Sequence, residues 1–500
     1  MTVNGKSVVS LRTLWLLAGL CSWTMAQEAT EPARIPGLPE IEVPAATRMP
    51  EAPAAATPDP QGASAATAPA APVLSVVPEA RVPAKPPAPG DATATSLPLG
   101  ETSSLAFEPD FIELERWSNT MTREDFEAAV SEIYSDGSPL PPPWRIEGDS
   151  LVIQTGMQSQ PTVRIKFQDK HDKPAEVSRT WRRGSDLPPL DGRPPLSDVH
   201  IALDPGHIGG GWARMEERFL SFKEGEAVQE GDLTLMTAKI LMERLRELGA
   251  YVSLVRESLN PVTEDRPDDL RSVAKDILRK AGLSFPEDSY AGIQGDAKVL
   301  TVQWQAEKLF YRVSEIRARA QKVNEEIKPD VVICLHLNAE GWGKADAPQF
   351  SPKNHLHVLV NGCYAPVELA NQDVRFEMLN RLFGRIHEEE IPLAESMAEA
   401  LAKTTDLPAY VYTTPNARPA GLSSYVYARN LLANRLYMCP VVYLEPFVMN
   451  HEETYHRLLM GHYLGRTLFN GKLRTSAIED YVRGVVQGLL GYYAKQRPHS

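Results

Sequence analysis

The chain has 500 residues, 43% of them hydrophobic and 23% charged, with a formal net charge of -13 at pH 7. That length is enough for a sizeable core and for more than one domain. An acidic balance with no long basic run argues against sequence-independent nucleic-acid binding and gives no electrostatic reason to sit on an anionic membrane. Proline is the outlier, with 42 residues unevenly spread.

Residues 1–26 read as an export signal. Lys6 and Arg12 supply a basic start, "LWLLAGLCSW" a short apolar run, and "TMA" before Gln27 the small residues of a cleavage site after Ala26. The apolar run is too short for an ordinary membrane span, so no integral membrane segment is expected once the signal is cleaved. Leu20 precedes Cys21 where a lipoprotein signal needs a small residue, which argues against lipidation. The other cysteines, Cys334, Cys363 and Cys439, form no CxxC pair, and their odd number gives no disulfide framework. Cys334 and Cys439 lie in apolar, strand-like runs and read as buried free thiols.

Residues 27–105 are dominated by Ala, Pro, Thr, Glu and Val, as in "PEAPAAATPDPQGASAATAPAAP". Such a segment cannot bury enough apolar surface to offset the entropy of ordering, and a disordered, partly polyproline-like linker is expected. Residues 106–196 change character. "MTREDFEAAVSEIYS" carries a helix start at Thr122, and "WRIEGDSLVIQTG" and "PTVRIKFQ" alternate as strands, which together predict a small α+β accessory module.

Over residues 197–495 strands and helices alternate. "VHIALDPG", "YVSLVRES" and "DVVICLHLNAE" read as strands, with "DLTLMTAKILMERLRELGA" and "SEIRARAQKVNEEI" as the helices between them. The pattern predicts an α/β fold, with a three-layer α/β/α catalytic domain around a mostly parallel twisted sheet. In such sheets the chemistry gathers where strands end. His207 and His336 both stand at predicted strand ends, and Glu230 stands at the start of the long helix, where the positive end of the helix dipole favours its ionised form. Two imidazoles and a carboxylate suit a catalytic zinc, which keeps a fourth position open. Glu445 closes a further apolar strand in "CPVVYLEPFVMN", where a carboxylate is costly unless it faces a polar site. A glutamate beside a metal site can take a proton from attacking water and pass it to a leaving amine.

These segments resemble the zinc-dependent N-acetylmuramoyl-L-alanine amidases, the amidase-3 type of bacterial cell-wall hydrolase. The matching stretches are "DPGHIGG", Glu230-Gly231-Asp232, "VRES", "IRARAQKVN" with Val323 in place of alanine, "CLHLNAE" and "EPFVMN". They keep the family's order from about Val199 to Lys495. The resemblance implies one zinc ion held by His207, Glu230 and His336, with Glu445 as catalytic base. It also implies cleavage of the amide between N-acetylmuramic acid and L-alanine in peptidoglycan, in the periplasm or outside the cell, with a partner protein as a possible activator. Asn338 and Asn450 fall on family positions and read as loop-shaping groups.

The chain also departs from the family pattern. The stretch from His207 to Glu230 is enlarged and holds rival acids, Glu216, Glu217, Glu224 and Glu226; only Glu230 precedes Asp232 and the apolar helix. Pro446 replaces a small residue. Insertions are expected at 263–311 and 365–391, and by analogy the second covers the metal with His387 or Glu388 to Glu390, against the plainer reading of a peripheral solvated helix. His355 and His357 share one strand face and receive no role. A zinc peptidase or other amidohydrolase, and an inactive amidase-like wall-binding scaffold, remain as alternative readings.

Overall fold

The computed structural model describes residues 99–498 apart from 294, 342, 345 and 346. The expected export signal and nearly all of the expected linker lie outside these residues. The linker's last residues, from 99 onward, are described: the Ser103 backbone N–H donates to the buried Asp373 carboxylate at 2.8 Å.

Thr122 opens the first helix, α1 (Arg123–Ala129), by accepting the Asp125 N–H at 3.1 Å, and Glu124 and Asp125 occupy the positive end of its dipole. Three short strands, β1 (Trp144–Glu147), β2 (Ser150–Gln154) and β3 (Thr162–Lys166), form an antiparallel meander. A lone meander of this size is marginal in water. This one is covered: Phe126 stacks on Phe383 at 5.4 Å and Phe111 meets Phe376 edge-on at 5.7 Å. Leu151 and Ile153 belong to the same hydrophobic cluster as the strands of the large sheet.

The larger part begins with β4 (His200–Pro205), a hairpin of β5 (Phe219–Lys223) and β6 (Glu226–Gln229), then α2 (Glu230–Glu247) and β7 (Tyr251–Leu254). The helices α3 (Arg271–Lys280), α4 (Val302–Leu309) and α5 (Glu315–Gln321) lead to β8 (Val331–Leu335) and β9 (Leu356–Val360). After α6 (Gln372–Phe383) and α7 (His387–Thr405) come β10 (Arg418–Pro419), β11 (Val426–Ala428), α8 (Leu432–Leu436) and β12 (Val441–Pro446); α9 (Glu452–Leu459) and α10 (Ala477–Gln496) complete the order. Seven strands make one sheet in the order β10-β11-β9-β12-β8-β4-β7. β7, β4, β8 and β12 run parallel, as do β9 and β11, while β9 meets β12, and β10 meets β11, antiparallel.

The period-2 alternation of the strands sorts their side chains into two cores. Ile201, Leu203, Ile333, Leu335 and Leu444 face Leu241, Met397 and Leu489 of α2, α7 and α10. Ala202, Val332, Cys334 and Tyr443 face Ala320, Val323 and Leu436 on the other side. The expected layered α/β arrangement with a mostly parallel sheet is therefore present. Cys334, Cys363 and Cys439 are all buried and free. Among the described residues no helix is long and apolar enough to cross a membrane.

Both readings of 365–391 are corrected here: the plainer one, a solvated peripheral helix, because α6 is buried along nearly its whole length, and the analogy of a cover over the metal, because its acids are engaged elsewhere. Glu390 is fully buried, pairs with Arg381, and accepts the Val441 N–H at 2.9 Å. Val441 starts β12 and Glu445 ends it, so this contact lies about 13 Å from the catalytic candidate at the usual strand rise. Glu388 pairs with Arg183 and Arg385, Glu389 accepts the Gly184 N–H, and His387 packs edge-on against Tyr134 at 5.6 Å. These acids anchor α7 to its surroundings because a buried helix start carrying three carboxylates needs donors and cations.

Phe126→Ala should cost about 3 to 5 kcal/mol, the usual range for a deleted core aromatic. Urea unfolding should still show one transition, since this side chain belongs to the core the meander shares with the sheet. A second outcome concerns pH. Burial lowers the His387 pKa from its ordinary value to about 4. Above pH 6.5 the ring is neutral in both states, and as pH falls from 6.5 to about 4 the unfolded chain gains a proton that the folded one refuses. Stability should therefore decline over that window, and His387→Gln should flatten the decline in denaturant titrations.

Candidate metal centre

Three parallel neighbours, β4, β8 and β12, end side by side. Pro205 pairs with Leu335 and Leu335 with Leu444 across the sheet. The next residues continue that line: Gly206 N–H donates to Leu335 O at 2.8 Å, and His336 N–H to Leu444 O at 3.0 Å. The register thus sets Gly206, His336 and Glu445 in a row at the carboxyl edge, where open α/β sheets place their sites. Gly206 has to lack a side chain, because a Cβ there would land on the His336 ring. On its other side His336 stacks on Tyr443 at 4.2 Å with 16° between the planes.

His207 follows Gly206 with a φ of 58°, a left-handed conformation that costs free energy in a residue other than glycine. Its neighbours hold it there. Arg319 donates to the His207 carbonyl at 2.8 Å, to the Pro205 carbonyl at 2.7 Å and to Asp204 Oδ1 at 2.9 Å. The Glu216 carboxylate accepts the next two backbone N–H groups, of Ile208 and Gly209, at 2.9 and 3.0 Å. The enlarged segment accordingly closes back on itself, with β5 and β6 delivering the chain to α2.

The first turn of α2 is pressed against that loop. Gly231 lies so close to Gly209 that no Cβ would fit, Thr234 Oγ1 donates to Gly206 O at 2.7 Å, and Arg256 donates to Gly231 O at 2.9 Å. Glu230 is thereby placed between the two histidines. Its Oε2 is 3.2 Å from His207 Nε2, and its Oε1 is 3.0 Å from His336 Nδ1 and 3.0 Å from the Leu337 nitrogen. Burial opposes ionisation of Glu230, yet the His207 and His336 imidazoles and the Arg218 guanidinium hold its carboxyl at about 2. Burial also drives His207 well below the ordinary histidine range. Both groups are proton-free at neutral pH, the state a metal requires.

His207, Glu230 and His336 each offer a ligand atom, and the three atoms lie within 4.8 Å of one another. Ligands about 2.1 Å from a tetrahedral zinc ion stand about 3.4 Å apart. His207 Nε2 stands 3.2 Å from one Glu230 oxygen and His336 Nδ1 stands 3.0 Å from the other, so the three residues can hold a metal ion, and their donor types suit zinc. Glu445 stands beside this cradle, 3% exposed and without an ion-pair partner within 4 Å among the described residues. Burial, and then the Glu230 carboxylate, push its carboxyl well above the usual range, against the pull of Arg218 and Arg429.

The rival acids are accounted for. Glu216 serves the His207 loop, Glu217 pairs with Lys308 at 2.7 Å, and Glu226 pairs with Lys223 at 2.7 Å on the hairpin; no ion pair involves Glu224 among the described contacts. Asn450 exchanges hydrogen bonds with the Glu340 backbone and Asn338 exchanges backbone bonds with Phe447 and Met449, so both shape loops. His355 bonds Glu340 at 3.0 Å, and His357 lies opposite Glu445 on the adjacent strand, packed against Tyr410 and Tyr412. Sequence reading missed Arg218, Tyr443 and Tyr481, and matched Arg319 within "IRARAQKVN" without giving it a role. Tyr443 was within reach, since it precedes Glu445 by two and shares its face; Tyr481, whose hydroxyl accepts the His336 backbone N–H at 3.3 Å, comes from a remote helix with no local signal.

No protein-family model and no curated protein sequence matches the chain. Among solved structures it is similar to the apo form of the N-acetylmuramyl-L-alanine amidase Ami1 from Mycobacterium abscessus, at 15% identity and a TM-score of 0.30, over 59% of this chain and 99% of that one. It is similar also to the CwlD amidase from Clostridioides difficile in complex with the GerS lipoprotein, at 14% identity and a TM-score of 0.32, over 60% of this chain and 100% of that one. A third is the N-acetylmuramoyl-L-alanine amidase AmiC2 of Nostoc punctiforme, at 13% identity and a TM-score of 0.29, over 59% and 98%. All three are amidases. Likeness at these values is remote, and the functional reading rests on the site geometry and the motif order.

The close approach at Gly206 gives a direct check. Gly206→Ala should abolish zinc uptake, measured by metal analysis after dialysis, by pushing the His336 ring off its position. Gly211→Ala, which meets open space, should leave uptake unchanged.

Proposed function

We propose that the chain is an exported zinc-dependent amidase that hydrolyses the amide between N-acetylmuramic acid and L-alanine in peptidoglycan. The observation that carries this reading is the convergence of His207, Glu230 and His336, three residues from separate segments, beside Glu445. The order of the segments is the order in which the amidase-3 family presents its motifs. The site would act in the bacterial periplasm or beyond, with an activator protein as a possible partner.

His207, Glu230 and His336 would hold the ion, with Tyr443 fixing the His336 ring and Arg319 fixing the His207 loop. The chemistry a zinc ion supplies in such a cradle is polarisation of the amide carbonyl and a lowered pKa for the attacking water, and its charge favours ionised Glu445. Glu445 takes the proton of that water as the new C–O bond forms. It then delivers the proton to the alanine nitrogen as the C–N bond breaks, so the products are a free carboxyl group on the muramic acid and a peptide with a free amino terminus. The raised pKa of the Glu445 carboxyl suits a group that must both accept and return a proton near neutral pH.

Purified muropeptides provide the test. The wild type should release stem peptide with an L-alanine amino terminus, and a chelator should stop the release. Glu445→Gln should lower the rate by about 10² to 10⁴-fold, the usual worth of a general base, with zinc content unchanged. Cleavage within the stem peptide would instead make the chain a peptidase. Intact muropeptide with full zinc would make it a binding scaffold.

A further inference from the structure

The imidazole of His207 has a second claimant. Arg218 Nε–H donates to His207 Nε2 at 3.1 Å, and Arg218 Nε also lies 3.1 Å from Glu230 Oε2. An Nε2 that accepts a hydrogen bond puts the ring proton on Nδ1, which faces Glu216 Oε1 at 3.5 Å. A neutral imidazole then has one lone pair left. It can take the Arg218 proton donor or a metal ion, and it cannot take both.

Arg218 is delivered to this position by the enlarged segment. Its N–H donates to Ala213 O at 2.8 Å and its carbonyl accepts the Glu230 N–H at 3.2 Å, so its backbone is stitched to the ligand's own. The guanidinium is buried, its side chain 12% exposed, between carboxylates that would be costly to leave without a cation. The residue before it, Glu217, has a φ of 57° and is gripped from the far side by Lys308 at 2.7 Å, with Lys298 at 3.9 Å and Arg312 at 4.0 Å. Lys308 belongs to α4, within the insertion at 263–311. The inserted helices therefore hold the arm that carries Arg218.

Resting on the zinc reading above, we propose that Arg218 is a built-in competitor for the metal. Its guanidinium holds His207 and Glu230 together in the metal-free protein and has to give up both contacts when the ion binds, while the Lys308–Glu217 pair sets how readily the arm moves. Through this pair the insertion at 263–311 acts on metal loading.

Zinc titration against a chromophoric chelator, on the full chain stripped of metal, tests this directly. Arg218→Ala should tighten the zinc Kd by about tenfold or more, as expected when a charge-assisted competitor is removed. Its metal-free form should melt several degrees below the wild type, about the shift expected from losing such a contact, with the gap closing on zinc addition. If Ala at this position prevents folding, Arg218→Lys, which keeps the charge and lacks the Nε–H, should tighten zinc in the same direction. Lys308→Met, with Arg218 in place, should tighten zinc by a smaller factor; an unchanged Kd there would overturn the part assigned to the insertion. An unchanged or weaker Kd in the Arg218 variants, with the wild type binding one zinc, would overturn the competition and leave the amidase reading standing. A wild type that takes up no zinc would overturn both.

Discussion

One buried guanidinium holds the centre of this molecule together. Arg319 leaves a helix on one face of the sheet and reaches four acceptors: Asp204, the Pro205 and His207 carbonyls, and Glu315. A buried charge is tolerated only when its donors are satisfied, and here satisfying them fixes the last turn of β4 and the left-handed backbone at His207. Glu315 in turn accepts the Val262 and Thr263 N–H groups at 2.7 and 3.0 Å, which ties the chain after β7 into the same knot. Strand end, His207 loop and the root of the insertion are thus positioned by one ion-pair cluster.

The functional edge inherits its charge problem from that arrangement. Glu230 and Glu445 are both buried, and only one is held ionised: the histidines and Arg218 surround Glu230, whereas Glu445 feels Glu230 as a repelling neighbour. Two carboxyls whose surroundings push their pKa values apart are the usual sign of a divided labour, one binding and one exchanging protons. The same physics calls for a cation near Glu230, and the Arg218 guanidinium supplies one at 3.1 Å.

The meander and the insertion at 365–391 serve the opposite end of the sheet. Phe126, Phe111 and Tyr134 cover α6 and the start of α7, and the acids of α7 are spent on Arg381, Arg183, Arg385 and the β12 backbone. An acid-rich helix near a metal site in sequence reads as a candidate cover; its burial pattern shows a structural anchor. The insertion at 263–311, also rich in acids, is the one that reaches the segment leading to Glu230, where Lys308 pairs with Glu217.

The sequence by itself determined the alternation of strands and helices and the two-sided burial of the strands, through local periodicity. It marked His207, Glu230, His336 and Glu445 as polar residues at the ends of apolar runs or the start of a helix, and only the family resemblance grouped them into one site. Thr122 was legible in the same way, through capping chemistry. Tertiary structure decided what no window of sequence contains. The cross-sheet register lines up Gly206, His336 and Glu445. The Arg319 cluster spans more than a hundred residues of chain, Tyr443 and Tyr481 position His336, and Arg218 occupies the ligand edge. Their partners are distant in the chain, and a buried charge takes its meaning only from the groups that fold around it.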